Sequence, residues 1–227
     1  MKRILTLLML LNCISGMSQQ TSWGNLEKYA ADNKRIGVPA RGEKRVVFMG
    51  NSITEGWKMM DSNFFAGRPY ICRGISGQST PQMLMRLRPD VIELKPAVVV
   101  ILAGANDIAQ NNGPITLEAI FGNIVSMVEL ARANKIKVVL CSVLPANKFP
   151  WRPELEPADK VIALNKMLAA YAHEKKIAYV DYYTAMVDDK KGLPKKYADD
   201  GIHPTLEGYK VMEPLVEAGI KTALKKK

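Results

Sequence analysis

Five short apolar segments recur along the chain, and none shows the polar alternation of a strand with one wet face. They read RVVFMG, YICRGI, AVVVILAG, KVVLCSV and IAYVDYY. A strand covered on both faces has this composition, because side chains on neither face meet water. We therefore expect five strands, each buried in the middle layer of the molecule.

Longer segments with helical periodicity separate these strands. They read TPQMLMRLRPDVIELK, TLEAIFGNIVSMVELARANK, PADKVIALNKMLAAYAHEKK and LEGYKVMEPLVEAGIKTALKK, and Pro89 is expected to bend the first of them. Strand and helix in alternation predict a parallel sheet with helices on both faces. The expected fold is α/β, a flavodoxin-like three-layer α/β/α sandwich with a central five-stranded parallel sheet.

The start of the chain has the features of a secretory signal peptide. Two basic residues precede an apolar run, and Gly16 and Ser18 have the spacing of a cleavage site. The run is shorter than the roughly 20 apolar residues that span a bilayer, so no integral membrane span is expected. Lipid attachment at Cys13 is disfavoured, because the preceding residue fits that signal poorly. We expect a signal peptide over residues 1–18, a single domain over 19–227, and export to the periplasm or the medium.

The formal net charge of +10 raises the question of nucleic-acid binding. The lysines are spread over the predicted helices and cluster only in the tail KTALKKK, which is the distribution of solvated helix faces. An exported protein also meets little nucleic acid. We therefore expect no nucleic-acid partner.

Polar clusters follow the predicted strands at their carboxyl ends, the edge at which such sheets bind ligands. The first three strands run into GNS, GISGQST and GANDIA, and DDGIHPT precedes the last helix. Ser52, in the first cluster, is a candidate helix N-cap and a candidate nucleophile, and the two roles are compatible. Thr54 stands where a G-x-S-x-G nucleophile elbow has its second glycine, so the serine alone decides nothing.

The cluster DDGIHPT contains His203, one of two histidines in the chain. Asp200 lies three residues earlier, so one turn can bring its carboxylate to Nδ1–H of the imidazole while Nε2 faces a hydroxyl. The alternative is an aspartate that caps the turn beside an incidental histidine. The other histidine, His173, lies at a charged helix end and is expected to face solvent.

Two further clusters offer hydrogen-bond donors. Asn106 can donate to an oxyanion from the end of the third strand, or it can form an Asx turn together with Asp107. Gly77 offers a backbone N–H, although a tight turn would also need glycine. With the N–H of Ser52, the loops supply a nucleophile, a base, an orienting acid and three oxyanion donors, which is the set that acyl transfer requires.

In this order, the blocks GNS, GISG, GAND and DGIHP resemble those of the SGNH, or GDSL-type, hydrolases. The resemblance runs from Val46 to the last helix, and the ordered set is far more specific than any one block. It implies that Ser52 is the nucleophile, and that His203 and Asp200 complete a catalytic triad.

The same resemblance implies that Gly77 and Asn106 complete the oxyanion hole. Asn51 replaces the aspartate of the first block, and we expect it to hydrogen-bond within its loop. Ester hydrolysis through an acyl-serine needs neither metal nor cofactor, and the sequence shows no metal-ligand cluster and no phosphate-binding glycine loop. We expect no cofactor, and a small-molecule or glycan ester as the partner.

The resemblance leaves the substrate open among carbohydrate O-acetylesterases, acetylhydrolases, lysophospholipases and thioesterases. The blocks VVFMGNSITEGW and RGISGQSTPQML look most like the acetylhydrolase branch of exported bacterial proteins. Three aromatic residues are candidate platforms for a sugar ring, although NKFPWRP is equally well read as a packed loop. The candidate substrate contacts are Asn51, Trp57, Phe149 and Trp151. We expect acetyl esters of carbohydrates as substrates; a lysophospholipase or thioesterase, and a non-catalytic glycan-binding module, are the alternatives.

Overall fold

The computed structural model describes residues 22–225, so the expected signal peptide and Cys13 lie outside the described residues. Among the described residues, five strands form one sheet, and every pairing in it is parallel. The strands are β1 (Val46–Gly50), β2 (Tyr70–Gly74), β3 (Val98–Ile101), β4 (Lys137–Cys141) and β5 (Ala178–Val180). Their order, β2-β1-β3-β4-β5, confirms the predicted flavodoxin-like sheet.

Helices connect the strands and cover the sheet. In the described part of the chain they are α1 (Ala30–Ile36), α2 (Ser52–Met60), α3 (Ser62–Phe65), α4 (Thr80–Leu87), α5 (Ala105–Ile108), α6 (Leu117–Ala133), α7 (Ala158–Glu174), α8 (Tyr182–Met186) and α9 (Leu206–Lys225). A π-helical turn, Arg88–Ile92, follows α4 directly. Pro89 has no N–H to continue the α-helical pattern, so the expected bend takes the form of this turn.

Strand side chains alternate between two apolar cores, one on each face of the sheet. Val47 and Met49 of β1 pack into the core shared with α4, α6 and α7. Val46 and Phe48 pack into the core shared with α2, α8 and α9. This alternation, with a period of about two residues, produces the three predicted layers. Of the helices formed by residues 22–225, none combines the length and the apolar character of a membrane span.

Helix α2 lies against the end of β2, and a glycine makes this approach possible. A Cβ on Gly74 would lie 2.2 Å from the backbone nitrogen of Glu55 in α2. Any side chain at this position would push the helix away. Gly74 therefore holds the first turns of α2 beside the loop that follows β2.

Helix α9 is joined to α2 through Tyr209. The hydroxyl of Tyr209 donates to the carbonyl oxygen of Ile53 at 2.8 Å, and its ring stacks on Trp57 with centroids 5.4 Å apart. Burial raises the pKa of Tyr209, so the phenol stays protonated and remains a donor. Because α9 directly follows the loop that contains His203, this contact sets the position of that loop relative to the start of α2.

We predict that Gly74→Ala lowers the free energy of unfolding by about 1–3 kcal/mol, because the new methyl group forces the backbone of α2 to move. Urea denaturation followed by circular dichroism measures the change. Gly122→Ala is the matched control, since Gly122 lies in α6 and an added Cβ there meets no atom within 4 Å. The control should gain about 0.5–1 kcal/mol from the better helix former. A Gly74→Ala variant as stable as the parent would contradict the close packing of α2 on β2.

Candidate active site

Ser52 begins α2 at the carboxyl end of β1, and its Oγ lies 3.0 Å from Nε2 of His203. Nδ1 of His203 lies 2.6 Å from Oδ2 of Asp200. A carboxylate only accepts hydrogen bonds, so Nδ1 carries the imidazole proton and Nε2 accepts from the serine hydroxyl. The fold thus brings together three residues whose first and last members are 151 positions apart.

Asp200 orders its own loop as well as the imidazole. Its Oδ1 accepts from the backbone N–H groups of Ile202 at 2.9 Å and His203 at 2.8 Å. Partial burial opposes ionisation of Asp200, but the hydrogen bonds from His203 and Ile202 outweigh it and lower the pKa of this carboxyl. Asp200 thus caps the turn with one carboxylate oxygen and lies within hydrogen-bond distance of the imidazole with the other.

The N-cap of α2 is Asn51 rather than Ser52. The Oδ1 of Asn51 accepts from the backbone N–H of Ile53 at 3.1 Å, and Asn51 is 2% exposed. The expectation that Ser52 caps the helix is wrong, and its hydroxyl instead faces His203. Asn51 does hydrogen-bond within its loop as expected, and its burial removes it from the candidate substrate contacts.

Gly77 lies in the loop after β2, between two residues that are each tied to another part of the site. Ser76 donates to the carboxylate of Glu55 in α2, through its hydroxyl and through its backbone N–H at 2.8 Å. The carbonyl oxygen of Gln78 accepts from Nδ2 of Asn106 at 2.9 Å. The φ angle of Gly77 is 77°, in the region that favours glycine. Gly77 is thereby held between α2 and Asn106.

Asn106 lies in α5, just beyond the end of β3, and is 6% exposed. Its Oδ1 accepts from Nδ2 of Asn111 at 3.0 Å. The amide nitrogen carries two N–H groups, and the bond to Gln78 uses one of them. This bond leaves the second N–H of the amide for another acceptor.

Asp107 supports the start of α4. Its two carboxylate oxygens lie 3.0 and 2.9 Å from the backbone nitrogen of Thr80, and Oδ1 also accepts from the Thr80 hydroxyl at 2.6 Å. Burial raises the pKa of Asp107, against the opposing effect of the hydrogen bonds from Thr80. Asp107 therefore links α5, which follows β3, to the start of α4.

The three aromatic candidates have different environments. Trp57 is 2% exposed and stacks on Tyr209, and Phe149 is 1% exposed, so both belong to the apolar interior. Their assignment as sugar platforms is wrong, because large rings gain most from burial and these two are not accessible to a substrate. Trp151 is 41% exposed and stacks on His203 with ring centroids 6.2 Å apart. Trp151 is the member of this set that lies at the site.

Arg86 supports the site although no motif singled it out. It is fully buried in α4, where its guanidinium donates to the carbonyl oxygen of Gly50 and to Asp90, each at 2.9 Å, and to the side chain of Gln78. The sequence does contain a signal that Arg86 is buried among polar partners. Arg86 falls on the apolar face of this helix, three residues after Met83, where a charged residue needs buried partners.

The site presents a hydroxyl, an imidazole, a carboxylate and an amide. In the part of the chain that the structure describes, no three His, Cys, Asp or Glu side chains are grouped so as to hold a metal ion. The groups present can remove a proton from a hydroxyl, return it to a leaving group and stabilise a developing oxyanion. This is the chemistry of a hydroxyl that attacks an acyl carbonyl.

Comparison with known proteins agrees with this chemistry. Residues 48–211 match the GDSL-like Lipase/Acylhydrolase family. Esterase TesA of Pseudomonas aeruginosa is 31% identical over 170 residues, which cover 73% of this chain and 78% of that protein. The acetylxylan esterase of Xylanibacter ruminicola is 26% identical over 226 residues, which cover 83% of this chain and 45% of that larger protein.

A solved structure shares both the fold and half of the sequence. The GDSL-like lipase of Bacteroides thetaiotaomicron is 51% identical and superimposes with a TM-score of 0.87, over 89% of this chain and 100% of that one. The family match spans more than half of the chain and includes every polar residue of the site described above. The chain belongs to the GDSL-like lipase/acylhydrolase family and is an ester hydrolase of the SGNH, or GDSL, type.

Proposed function

We propose that Ser52, His203 and Asp200 are the catalytic triad of this ester hydrolase. The observation that carries the proposal is the continuous hydrogen-bonded path from Ser52 Oγ through the imidazole to Asp200, with steps of 3.0 and 2.6 Å. Neutral His203 takes the serine proton as Oγ attacks the ester carbonyl, and the imidazolium then protonates the leaving alcohol. Water attacks the acyl-serine in the same way and releases the acid. Asp200 stabilises the imidazolium in both steps.

The oxyanion of each tetrahedral intermediate is bound, in this proposal, by Nδ2 of Asn106 and by the backbone N–H groups of Ser52 and Gly77. Three observations support the assignment. Gly77 is held between α2 and Asn106. The amide of Asn106 has a second N–H to donate. Ser52 is at the N-terminus of α2, where the helix dipole favours negative charge.

For the substrate, we propose short acyl esters, above all acetyl groups on carbohydrates. The site is open, since the side chains of His203 and Asp200 are 42% and 43% exposed, which suits a substrate that lies across the surface. The exposed ring of Trp151 beside His203 offers an apolar face on which a sugar ring can pack. The relative from Xylanibacter ruminicola is an acetylxylan esterase. Export of the protein, which we also propose, would bring it to acetylated glycans.

Ser52→Ala and His203→Ala are each expected to lower kcat for a chromogenic acetyl ester by several orders of magnitude, because the triad acts as a unit. Asp200→Ala should have a smaller effect. The matched control is His173→Gln, because His173 is exposed at the end of α7 and should leave kcat unchanged. Substantial activity in Ser52→Ala would refute the assignment of the nucleophile.

Asn106→Ala is expected to lower kcat by about 10²- to 10³-fold with little change in KM, because it removes a donor that acts on the transition state. Steady-state kinetics on the same ester separate the two parameters. An increase in KM alone would identify Asn106 as a ground-state binding residue and exclude it from the oxyanion hole.

The acyl preference tests the substrate. Each buried methylene contributes up to about 0.8 kcal/mol, so an enzyme with a long acyl pocket shows kcat/KM that rises with chain length. We expect kcat/KM to be higher for the acetyl than for the octanoyl ester of one alcohol, and we expect acetate release from acetylated oligosaccharides. An octanoyl preference, or no acetate from any glycan tested, would favour a lysophospholipase or thioesterase.

A further inference from the structure

We propose that Asn111 and Trp151 are positioning residues that set the orientation of the Asn106 amide. The inference rests on the proposed role of Asn106 in the oxyanion hole. Three hydrogen bonds form a chain across the site. Nε1 of Trp151 donates to Oδ1 of Asn111 at 2.9 Å, Nδ2 of Asn111 donates to Oδ1 of Asn106 at 3.0 Å, and Nδ2 of Asn106 donates to the carbonyl oxygen of Gln78 at 2.9 Å.

The two ends of this series of hydrogen bonds determine the direction of every bond in it. The indole N–H of Trp151 can only donate, so the oxygen of the Asn111 amide must face it. Nδ2 of Asn111 then faces Asn106 and requires an oxygen there. At the other end, the carbonyl of Gln78 can only accept and requires Nδ2 of Asn106. The amides of Asn111 and Asn106 thus each have one orientation in which the indole N–H, both amides and the carbonyl of Gln78 are all hydrogen-bonded.

A flipped Asn106 would be penalised at both of its contacts. Its oxygen would lie against the carbonyl oxygen of Gln78, and its N–H groups would lie against those of Asn111. Asn106 is 6% exposed, so water cannot readily replace the lost partners. This series of hydrogen bonds therefore keeps one N–H of Asn106 available as a donor before the substrate arrives, as preorganised stabilisation requires.

The backbone holds Asn111 in place independently of its side chain. The N–H of Asn111 donates to the carbonyl oxygen of Asn106 at 3.0 Å, and Asn111 pairs with Gly113 in an isolated β-bridge. Truncation of the side chain therefore removes the contact with the amide of Asn106 and leaves the path of the loop supported.

Trp151 connects this series of hydrogen bonds to His203, the proposed base. Its ring stacks on the imidazole of His203 with an interplanar angle of 29°, while its N–H holds Asn111. One side chain therefore contacts the base directly and the oxyanion donor through Asn111. Trp151→Phe separates the two contacts, because phenylalanine keeps an aromatic ring over the imidazole and lacks the N–H.

The experiment measures kcat and KM for an acetyl ester and the rate at which a fluorophosphonate probe phosphonylates Ser52. We expect Asn111→Ala to lower kcat and the phosphonylation rate about tenfold, the upper range for one hydrogen bond, with KM nearly unchanged. Trp151→Phe should lower both about threefold. The matched control is Asn112→Ala, because the Asn112 amide bonds to Ser79 and Gln82 and should leave both rates at the parent value.

A double-mutant cycle tests the route of the effect. If Asn111 acts through the amide of Asn106, Asn111→Ala should cause no further loss of phosphonylation rate in the Asn106→Ala background. An equal loss in both backgrounds, or parent rates in Asn111→Ala and Trp151→Phe, would overturn the inference. Such a result, with Asn106→Ala still impaired, would leave the proposed function standing. Parent rates in Asn106→Ala would overturn the oxyanion assignment and this inference together.

Discussion

The buried guanidinium of Arg86 is the interaction on which the geometry of the site depends. A fully buried charge is tolerated only when it is paired and hydrogen-bonded, and removal of one partner from such a pair costs about 3–5 kcal/mol. Its partners are Asp90 in the π-helical turn, the carbonyl of Gly50 at the end of β1, and the side chain of Gln78 after β2. Because one cation binds all three, these segments are held in one arrangement.

Ser52 and His203 are attached to the segments held by Arg86 through different parts of the chain. Gly50 is two residues before Ser52, so Arg86 acts close to the proposed nucleophile, and Gln78 both follows Gly77 and accepts from the amide proposed for the oxyanion hole. His203, the proposed base, comes from the far end of the chain, where Tyr209 of α9 bonds to the first turn of α2. A hydrolytic site of this kind works because its donors are in place before charge develops, and rigid buried contacts of this sort achieve that.

The five-stranded parallel sheet and the set of polar loops could be predicted from the sequence, because buried parallel strands and the loops at their carboxyl ends have distinct compositions. The environment of single side chains could not. Trp57 and Trp151 were both candidate platforms for a sugar ring, yet one is a core residue and the other is exposed beside His203. Ser52 and Asn51 are adjacent and both are good N-cap residues, and only the backbone path decides that Asn51 accepts from the helix.

The sequence by itself determined the fold class and the chemical types of the site residues, because periodicity and residue chemistry are local properties. Tertiary structure alone decided which groups meet: Ser52 with His203, Arg86 with Gly50, Gln78 and Asp90, and the hydrogen-bonded series from Trp151 through Asn111 and Asn106 to Gln78. The physical reason is that a hydrogen bond requires donor and acceptor within about 3 Å of each other in a defined direction. Distances of that kind between residues far apart in the chain are set by how helices pack on the sheet, and a pattern along the chain does not contain them.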